Sequence, residues 1–300
     1  PPVQANKLRI VAAGDVVVNT SIQGADGSNS LCSLDFRSGG NVLLPDMQGQ
    51  WILNQVSIFG KTVTVGVPLI FTQGTSCANK QTAGDVCPGL LDKASLAESL
   101  GDRLRATLSN VSFDCLIVGQ ESVQLSYKSR LKAASMLLCS GGTLQFENNT
   151  ILDVSGRGCS AGVGAGTGGT RNESAKCGAG GGSHISSGGF GGSFDSTEVT
   201  PCATPGRFYD QPDLEPTQPL KVLPTAGASG GGCTGYDNKV ACSRLPRLTS
   251  AGGGLIWLSA KGAMTFQSDV QVLASGKAGA EVAVNTTTNS TTASGGGSGG

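Results

Sequence analysis

The chain has 300 residues, of which 38% are hydrophobic and 14% are charged, and its 21 basic and 21 acidic side chains balance. No basic stripe is present, which argues against nucleic acid as a partner, and no apolar run is long enough to span a bilayer. Glycine contributes 47 residues, about twice its usual share of ~7%. Low charge with sufficient aliphatic content favours a folded chain over a disordered one.

Residues 1–75 contain apolar stretches with period-two alternation, such as LRIVAAGDVVV and WILNQVSIFGKTVTVGVPLIF. Alternation with β-branched residues predicts strands. Residues 76–105 differ, because Cys77 and Cys87 are followed by LLDKASLAESLGDRL at roughly helical spacing. This segment predicts a disulfide-closed loop and a short helix outside the strand-rich part.

Residues 106–156 return to strands and contain a repeat. The segment 135–156, SMLLCSGGTLQFENNTILDVSG, matches residues 255–276, LIWLSAKGAMTFQSDVQVLASG, at an offset of 120 positions. A second offset of 21 positions places Val123 on Leu144 and Leu131 on Leu152. Short repeats of strands stack because each cannot bury its apolar face alone. The repeat predicts an all-β fold, a right-handed parallel β-helix whose coils span 1–75, 106–156 and 255–284.

Alternation within the repeat divides its side chains between the two faces. Leu144, Phe146, Leu152 and Val154 are predicted to point inward. Their polar neighbours are predicted to point outward; they are Gln145, Glu147 and Asp153.

Residues 157–254 separate two matched repeats and resemble neither. They are rich in glycine, serine and proline and contain five cysteines, which favours a disulfide-linked insertion over a flexible linker. The last part, 285–300, contains many Thr, Ser and Gly residues and is expected to carry sugars. We expect the chain to be a mature fragment that continues beyond residue 300.

The cysteines are even in number and lack metal-site spacing, and the single His184 cannot complete a Cys/His zinc site. They predict disulfides in an oxidising compartment. Cys77–Cys87 and Cys233–Cys242 are the favoured short loops, and Cys115–Cys139 would join adjacent coils. The ten residues are Cys32, Cys77, Cys87, Cys115, Cys139, Cys159, Cys177, Cys202, Cys233 and Cys242.

Six triplets fit the N-glycosylation motif N-x-[ST]. Together with the cysteines they predict an extracellular protein, either secreted or associated with a cell surface or wall. The asparagines are Asn19, Asn110, Asn148, Asn172, Asn285 and Asn289.

The segments GGTLQFENNTILDVSGRGC, FYDQPDLEP, SGGGC and AGGGLIWLSAKGAMTFQSDVQVLASGKAG resemble glycine-rich, secreted β-helix proteins of plants, oomycetes and other protists, which are loosely related to pectin-lyase-like solenoids. The resemblance covers about residues 120–280 and implies a parallel β-helix with a surface or wall-associated role. It carries over no catalytic residue.

Two short motifs suggest chemistry but lack the context that the chemistry needs. Gly164-Ala-Gly166-Thr-Gly168-Gly169 matches GxGxxG without a preceding strand or a following helix. Gly227-Ala-Ser229-Gly-Gly231 matches GxSxG without a strand–turn–helix or a nearby base. No catalytic, metal or cofactor site is therefore predicted, and no cofactor is expected.

The expected function is non-enzymatic: an extracellular structural glycoprotein that self-associates, or joins other surface glycoproteins, in a flagellar-hair-like filament, coat or wall. The alternative is a polysaccharide-binding or polysaccharide-cleaving β-helix. Cleavage would need paired acids on an outer face, where the candidates are Glu147, Asp153 and Asp269 with Lys128 and Arg130.

Overall fold

The computed structural model describes residues 3–4, 7–20, 22–23, 30–45, 50–71, 113–158, 171–172, 233–234, 252–276, 281–285 and 290–293. Within these ranges all regular structure is β-strand, and no helix occurs. The helix predicted in 76–105 lies outside them, as does most of the insertion 157–254. The chain forms two compact units, Pro1–Asp153 with Ile256–Leu273 and Val154–Leu255 with Ala274–Gly300.

The strands are numbered in chain order. They are β1 (Val3–Gln4), β2 (Lys7–Ala12), β3 (Val16–Val17), β4 (Ile22–Gln23), β5 (Ser30–Ser38), β6 (Val42–Leu44), β7 (Trp51–Val65), β8 (Leu69–Phe71), β9 (Cys115–Leu125), β10 (Arg130–Lys132), β11 (Ser135–Ser140), β12 (Thr143–Phe146), β13 (Ile151–Asp153), β14 (Arg171–Asn172), β15 (Cys233–Thr234), β16 (Leu255–Ala260), β17 (Met264–Phe266), β18 (Gln271–Leu273), β19 (Glu281–Asn285) and β20 (Ser290–Ala293).

Fourteen strands form one sheet made of three ladders. The first ladder contains β2, β5, β7, β9, β11 and β16. The second contains β3, β6, β7, β9, β12 and β17. The third contains β7, β8, β10, β13 and β18. Every register given for these ladders is parallel, and the sheet curls because β7 belongs to all three ladders and β9 to two.

The register confirms both predicted offsets. Leu144 pairs with Val123 on one side and with Met264 on the other. In the third ladder, Leu152 likewise lies between Leu131 and Val272. Matched positions of the repeat are therefore direct neighbours in the sheet.

The second unit has two small strand pairs among its described residues. β14 pairs with β15 in parallel, and β19 pairs with β20 in antiparallel fashion. Residues 281–284, which the sequence assigns to a coil of the repeat, thus pair with the segment that follows them.

The core of the first unit consists of columns of apolar side chains on one face of the ladders. Leu34, Phe36, Ile58 and Leu131 are 0–1% exposed. Burying an aliphatic or aromatic side chain of this size contributes about 1.5–3 kcal/mol. The predicted inward residues Leu144, Phe146, Leu152 and Val154 are all 0% exposed, which confirms the alternation.

The first ladder is buried on both faces where β9 and β11 lie. Cys115 and Ile117 occupy inner columns, whereas Leu116 alternates with them and is only 1% exposed. Leu137 pairs with Leu116 and is also buried. Burial of both faces is typical of parallel sheets.

Equivalent turns connect the second ladder to the third. The amide of Ser129 donates to the carbonyl of Ser126, and the amide of Thr150 donates to that of Glu147, which closes two four-residue turns. The third residue of each turn, Lys128 and Asn149, has a positive φ of 60° and 61°. The Lys128 amide also donates to the Asn148 carbonyl, so successive turns stack.

The turns between the first and second ladders stack so closely that they exclude a side chain. A Cβ atom on Gly142 would lie 2.2 Å from the Glu121 carbonyl oxygen. Ser140 braces the same turn, because its hydroxyl accepts from the Gly142 amide and donates to the Glu121 carbonyl. Ser38 makes the equivalent pair of bonds with Gly40 and Gly14.

The close approach at Gly142 gives a test of the stacking. Gly142→Ala should lower the free energy of unfolding by about 1–3 kcal/mol, because the backbone must move to make room. Gly14→Ala is the matched control, since a Cβ there would have nothing within 4 Å, and it should change stability by less than ~0.5 kcal/mol. Urea unfolding of both variants measures the difference, and equal effects would contradict the stacked geometry.

Candidate functional site

Glu147 is held by groups of the preceding repeat. Its two carboxylate oxygens accept hydrogen bonds from the Gln124 side-chain amide and from the Tyr127 backbone amide at 2.7 Å. The carboxylate therefore links two successive turns.

Asp153 is paired with two cations of the neighbouring strand β10. Its Oδ2 lies 3.7 Å from Arg130 and 3.5 Å from Lys132, and its side chain is only 9% exposed. The sequence predicts an outward, solvated carboxylate here; Asp153 does alternate with the inward Leu152, but it is nearly buried. Removing one partner of such a pair leaves the other charge poorly solvated, so the cluster stabilises the third ladder.

Asp269 and Lys128 occupy the same position in stacked turns. Asp269 has a φ of 61°, matching Lys128 and Asn149. Polar residues with short side chains adopt this left-handed region more readily than others. Lys128 also lies over the Tyr127 ring, 4.8 Å from its centroid. The candidate acids thus lie in turns or in an ion-paired strand, and among the described residues the structure gives Glu147 and Asp153, but not Asp269, side-chain partners in a neighbouring repeat.

A second charged cluster, which the sequence analysis missed, lies near the start of the first ladder. Asp35 pairs with Arg9 in β2 and with Arg37 in its own strand, at 3.2 Å in both cases. The Arg37 guanidinium in turn lies 5.2 Å from the centroid of the Phe59 ring. The alternation in LRI and LDFRS places Arg9, Asp35 and Arg37 on the outer side of their strands. Their contact depends on the register of β2 with β5, which the sequence does not show.

Cys115 and Cys139 do not form the predicted disulfide. Cys115 pairs with Met136 in the register, and Cys139 lies three positions beyond Met136. An odd separation along a strand places the two sulfurs on opposite faces of the sheet. Cys115 instead carries a free thiol that is 0% exposed. The predicted bonds Cys77–Cys87 and Cys233–Cys242 involve side chains outside the described residues.

Two of the predicted glycosylation sites can be placed, and both are exposed. Asn19 follows β3, and Asn148 lies at the second position of a stacked turn. The side chains of Asn110, Asn172, Asn285 and Asn289 lie outside the described residues, as do His184 and both short glycine motifs.

The outer face of the second ladder is a regular array of hydroxyl and amide groups, which we call the hydroxyl–amide face. Thr64, Gln124, Gln145 and Thr265 form one column across β7, β9, β12 and β17. A parallel column two residues earlier contains Thr62, Ser122 and Thr143. The sequence signal is a polar–aliphatic–polar triplet that recurs as TVT, SVQ and TLQ. The sequence analysis considered only the inward residues of these triplets.

Among the described residues, no group of three or more His, Cys, Asp or Glu side chains is arranged to hold a metal ion. The same part of the chain has no helix of the length and apolar character needed to cross a membrane. Neither observation adds a binding site to those described above.

Comparisons of the chain with protein-family models, with curated proteins and with solved structures find no match. The resemblance to glycine-rich secreted β-helix proteins therefore stays a prediction.

The buried Cys115 thiol predicts a pH dependence. Burial, with a smaller contribution from the Asp114 carboxylate, raises the pKa of Cys115 far above its ordinary 9.0. The folded thiol stays protonated where the unfolded thiol ionises, so stability is complete below pH 9 and is lost as the pH rises beyond it. The loss should approach ~1.4 kcal/mol per pH unit.

Urea unfolding at pH 8 and pH 10 measures this loss. Cys115→Val is the matched control, because Val56 occupies the same column, and it should lack this part of the pH dependence. An identical dependence in both proteins would contradict a buried, unbridged thiol.

Proposed function

We propose that this protein is an extracellular structural glycoprotein, built on a right-handed parallel β-helix, that assembles end to end into a filament. Three features support the proposal: the repeated parallel register, an edge at β16–β18 that no further strand covers among the described residues, and exposed glycosylation motifs.

The β-helix is supported by the order in which the chain visits the three ladders. The chain enters the first and second ladders with β9 and the third with β10. It then returns to the first ladder with β11, the second with β12 and the third with β13. Each cycle takes 21 residues, and the short turns repeat with it. Crossovers between parallel strands of one sheet are right-handed in about 98% of cases, which gives the proposed handedness.

The observation that carries the assembly is the exposed inner column of the last repeat that the structure describes. Met264, Phe266 and Val272 continue the inner columns of Leu144, Phe146 and Leu152. Their counterparts are 0% exposed, whereas these three are 37%, 47% and 46% exposed. The Phe266 ring stacks on Phe146 with centroids 4.7 Å apart and planes 7° from parallel. Its other side has no such partner among the described residues.

The opposite end of the sheet offers the complementary edge. β2 pairs with β5 only, and β3 with β6 only, within the described part of the chain. Leu8 and Ile10 of β2 are half-buried, although their column neighbours Leu34 and Phe36 are fully buried. A second copy whose β2 met β16 and whose β3 met β17 would continue the first and second ladders with the same polarity, and it would lie over the open end of the third ladder at β18. Such a contact between two different surfaces generates an open filament.

This contact can be tested with one substitution. Val272→Asp places a charge in the column that a second copy would bury, so assembly should be lost. Tyr127→Asp is the matched control, because Tyr127 is 48% exposed but lies in a turn away from the edge, and it should still assemble.

Sedimentation and electron microscopy measure the assembly of both variants, and fibre diffraction measures its geometry. Stacked coils should give a spacing of about 4.8 Å along the filament axis. A native protein that stays monomeric, or filaments whose 4.8 Å spacing runs across the axis, would contradict the proposal.

The extracellular part of the proposal is supported by the exposed Asn148, whose turn position lets a glycan leave the sheet. Glycopeptide mass spectrometry of the native protein should find sugar on Asn148 and Asn19. Asn41 is the control, because it is exposed but lies outside any glycosylation motif. Bare Asn148 and Asn19 in the native protein would count against secretion.

A further inference from the structure

The hydroxyl–amide face is an exposed polar surface whose regularity comes from the register. Neighbouring members of a column lie on adjacent strands, so they repeat about every 4.8 Å, and the two columns lie roughly 6.6 Å apart along each strand. Thr143 and Thr265 are exposed, and Thr64 and Gln145 are half-buried. The array therefore presents its polar groups at regular intervals.

The polar groups of this face are available to a ligand. Gln124 donates to Glu147, but no side-chain hydrogen bond or ion pair occupies Thr64, Thr143, Gln145 or Thr265 within the described part of the chain. Hydroxyl and amide groups both donate and accept hydrogen bonds. A partner rich in hydroxyl groups could pair with all of them.

The composition of the face narrows the class of partner. Neither column carries a charge between β7 and β17. Lys61, which precedes Thr62 at the border of the face, is ion-paired with Glu121, so the face has no surplus of the cations that phosphate groups or acidic sugars require. It also lacks the apolar centre and the aromatic residues typical of a protein–protein interface. A neutral polyhydroxylated chain remains the best chemical match.

The borders of the face fit such a chain. Val17 and Leu43 extend the column of Thr64 toward the start of the sheet and are 52% and 37% exposed. Tyr127, whose side chain is half-exposed, lies in the turn that follows β9. Its backbone amide and the Gln124 side chain both donate to Glu147. Sugars carry apolar C–H surfaces as well as hydroxyl groups, so apolar and aromatic side chains beside a polar array suit them.

We propose that the hydroxyl–amide face binds a neutral polysaccharide in extended form, without cleaving it. The inference goes beyond the proposed filament, because it concerns an outer face and not the edges of the sheet. A protein could bind glycan through this face whether or not it polymerises.

The test is adsorption of the full-length protein to insoluble cellulose, chitin and β-1,3-glucan, with polygalacturonate as the charged comparison. Binding to at least one neutral glycan is expected, with little to polygalacturonate. Gln145→Ala should weaken it about two- to tenfold, the effect of one hydrogen bond. The triple variant Thr143→Ala/Gln145→Ala/Thr265→Ala should abolish it.

Gln271→Ala is the matched control, because Gln271 is an exposed glutamine of the third ladder; it should bind as the native protein does. Urea unfolding confirms that each variant is folded.

Failure to bind any neutral glycan, equal binding to polygalacturonate, or equal loss in Gln271→Ala would overturn the proposal. Adsorption to ice crystals without adsorption to glycan would also overturn it. Filament assembly by Val272→Asp and native protein is scored separately, so the two proposals can fail independently.

Discussion

In-register pairing of parallel strands is the constraint on which the rest of this structure depends. Leu131, Leu152 and Val272 are neighbours only because each repeat returns to the same position in the third ladder. A slip of one residue would move a whole apolar set to the opposite face. The register therefore stabilises the core and at the same time forces the turns to stack at a fixed distance.

That fixed distance explains why so many polar groups serve the backbone. Ser140 joins two successive turns through its hydroxyl. Asp114 and Ser135 exchange hydrogen bonds between adjacent repeats. Buried Thr150 lies 3.4 Å from Ser129, hydroxyl to hydroxyl. Burying such groups is costly unless they are hydrogen-bonded. Glu147 and Asp153 belong to the same set, because each is held by groups of a neighbouring repeat.

The outer faces of the three ladders differ although their inner columns are alike. The first is covered at Leu116 and Leu137, the third carries the ion-paired Asp153, and the second presents free hydroxyl and amide groups. The inner columns are restricted by packing, whereas an outer face only has to be compatible with what it meets. Binding sites on such a scaffold are therefore expected on an outer face or at an open edge of the sheet. The proposed glycan site lies on an outer face, and the proposed contact between copies lies at the edges.

The sequence by itself determined the strands, the offsets of 21 and 120 positions and the inward residues, because packing against identical neighbours leaves a periodic apolar pattern. It also contained the correction to the Cys115–Cys139 bond, since that pair is separated by one repeat and three further residues. The burial of Asp153 was decided by the tertiary structure. Its partners Arg130 and Lys132 lie in β10 and contact it only because β10 pairs with β13. The exposure of Phe266 was decided there too, because no property of the sequence MTF shows that only one of its sides meets a strand among the described residues. Local patterns report what is repeated along the chain, but charge pairing and open edges depend on which strands become neighbours.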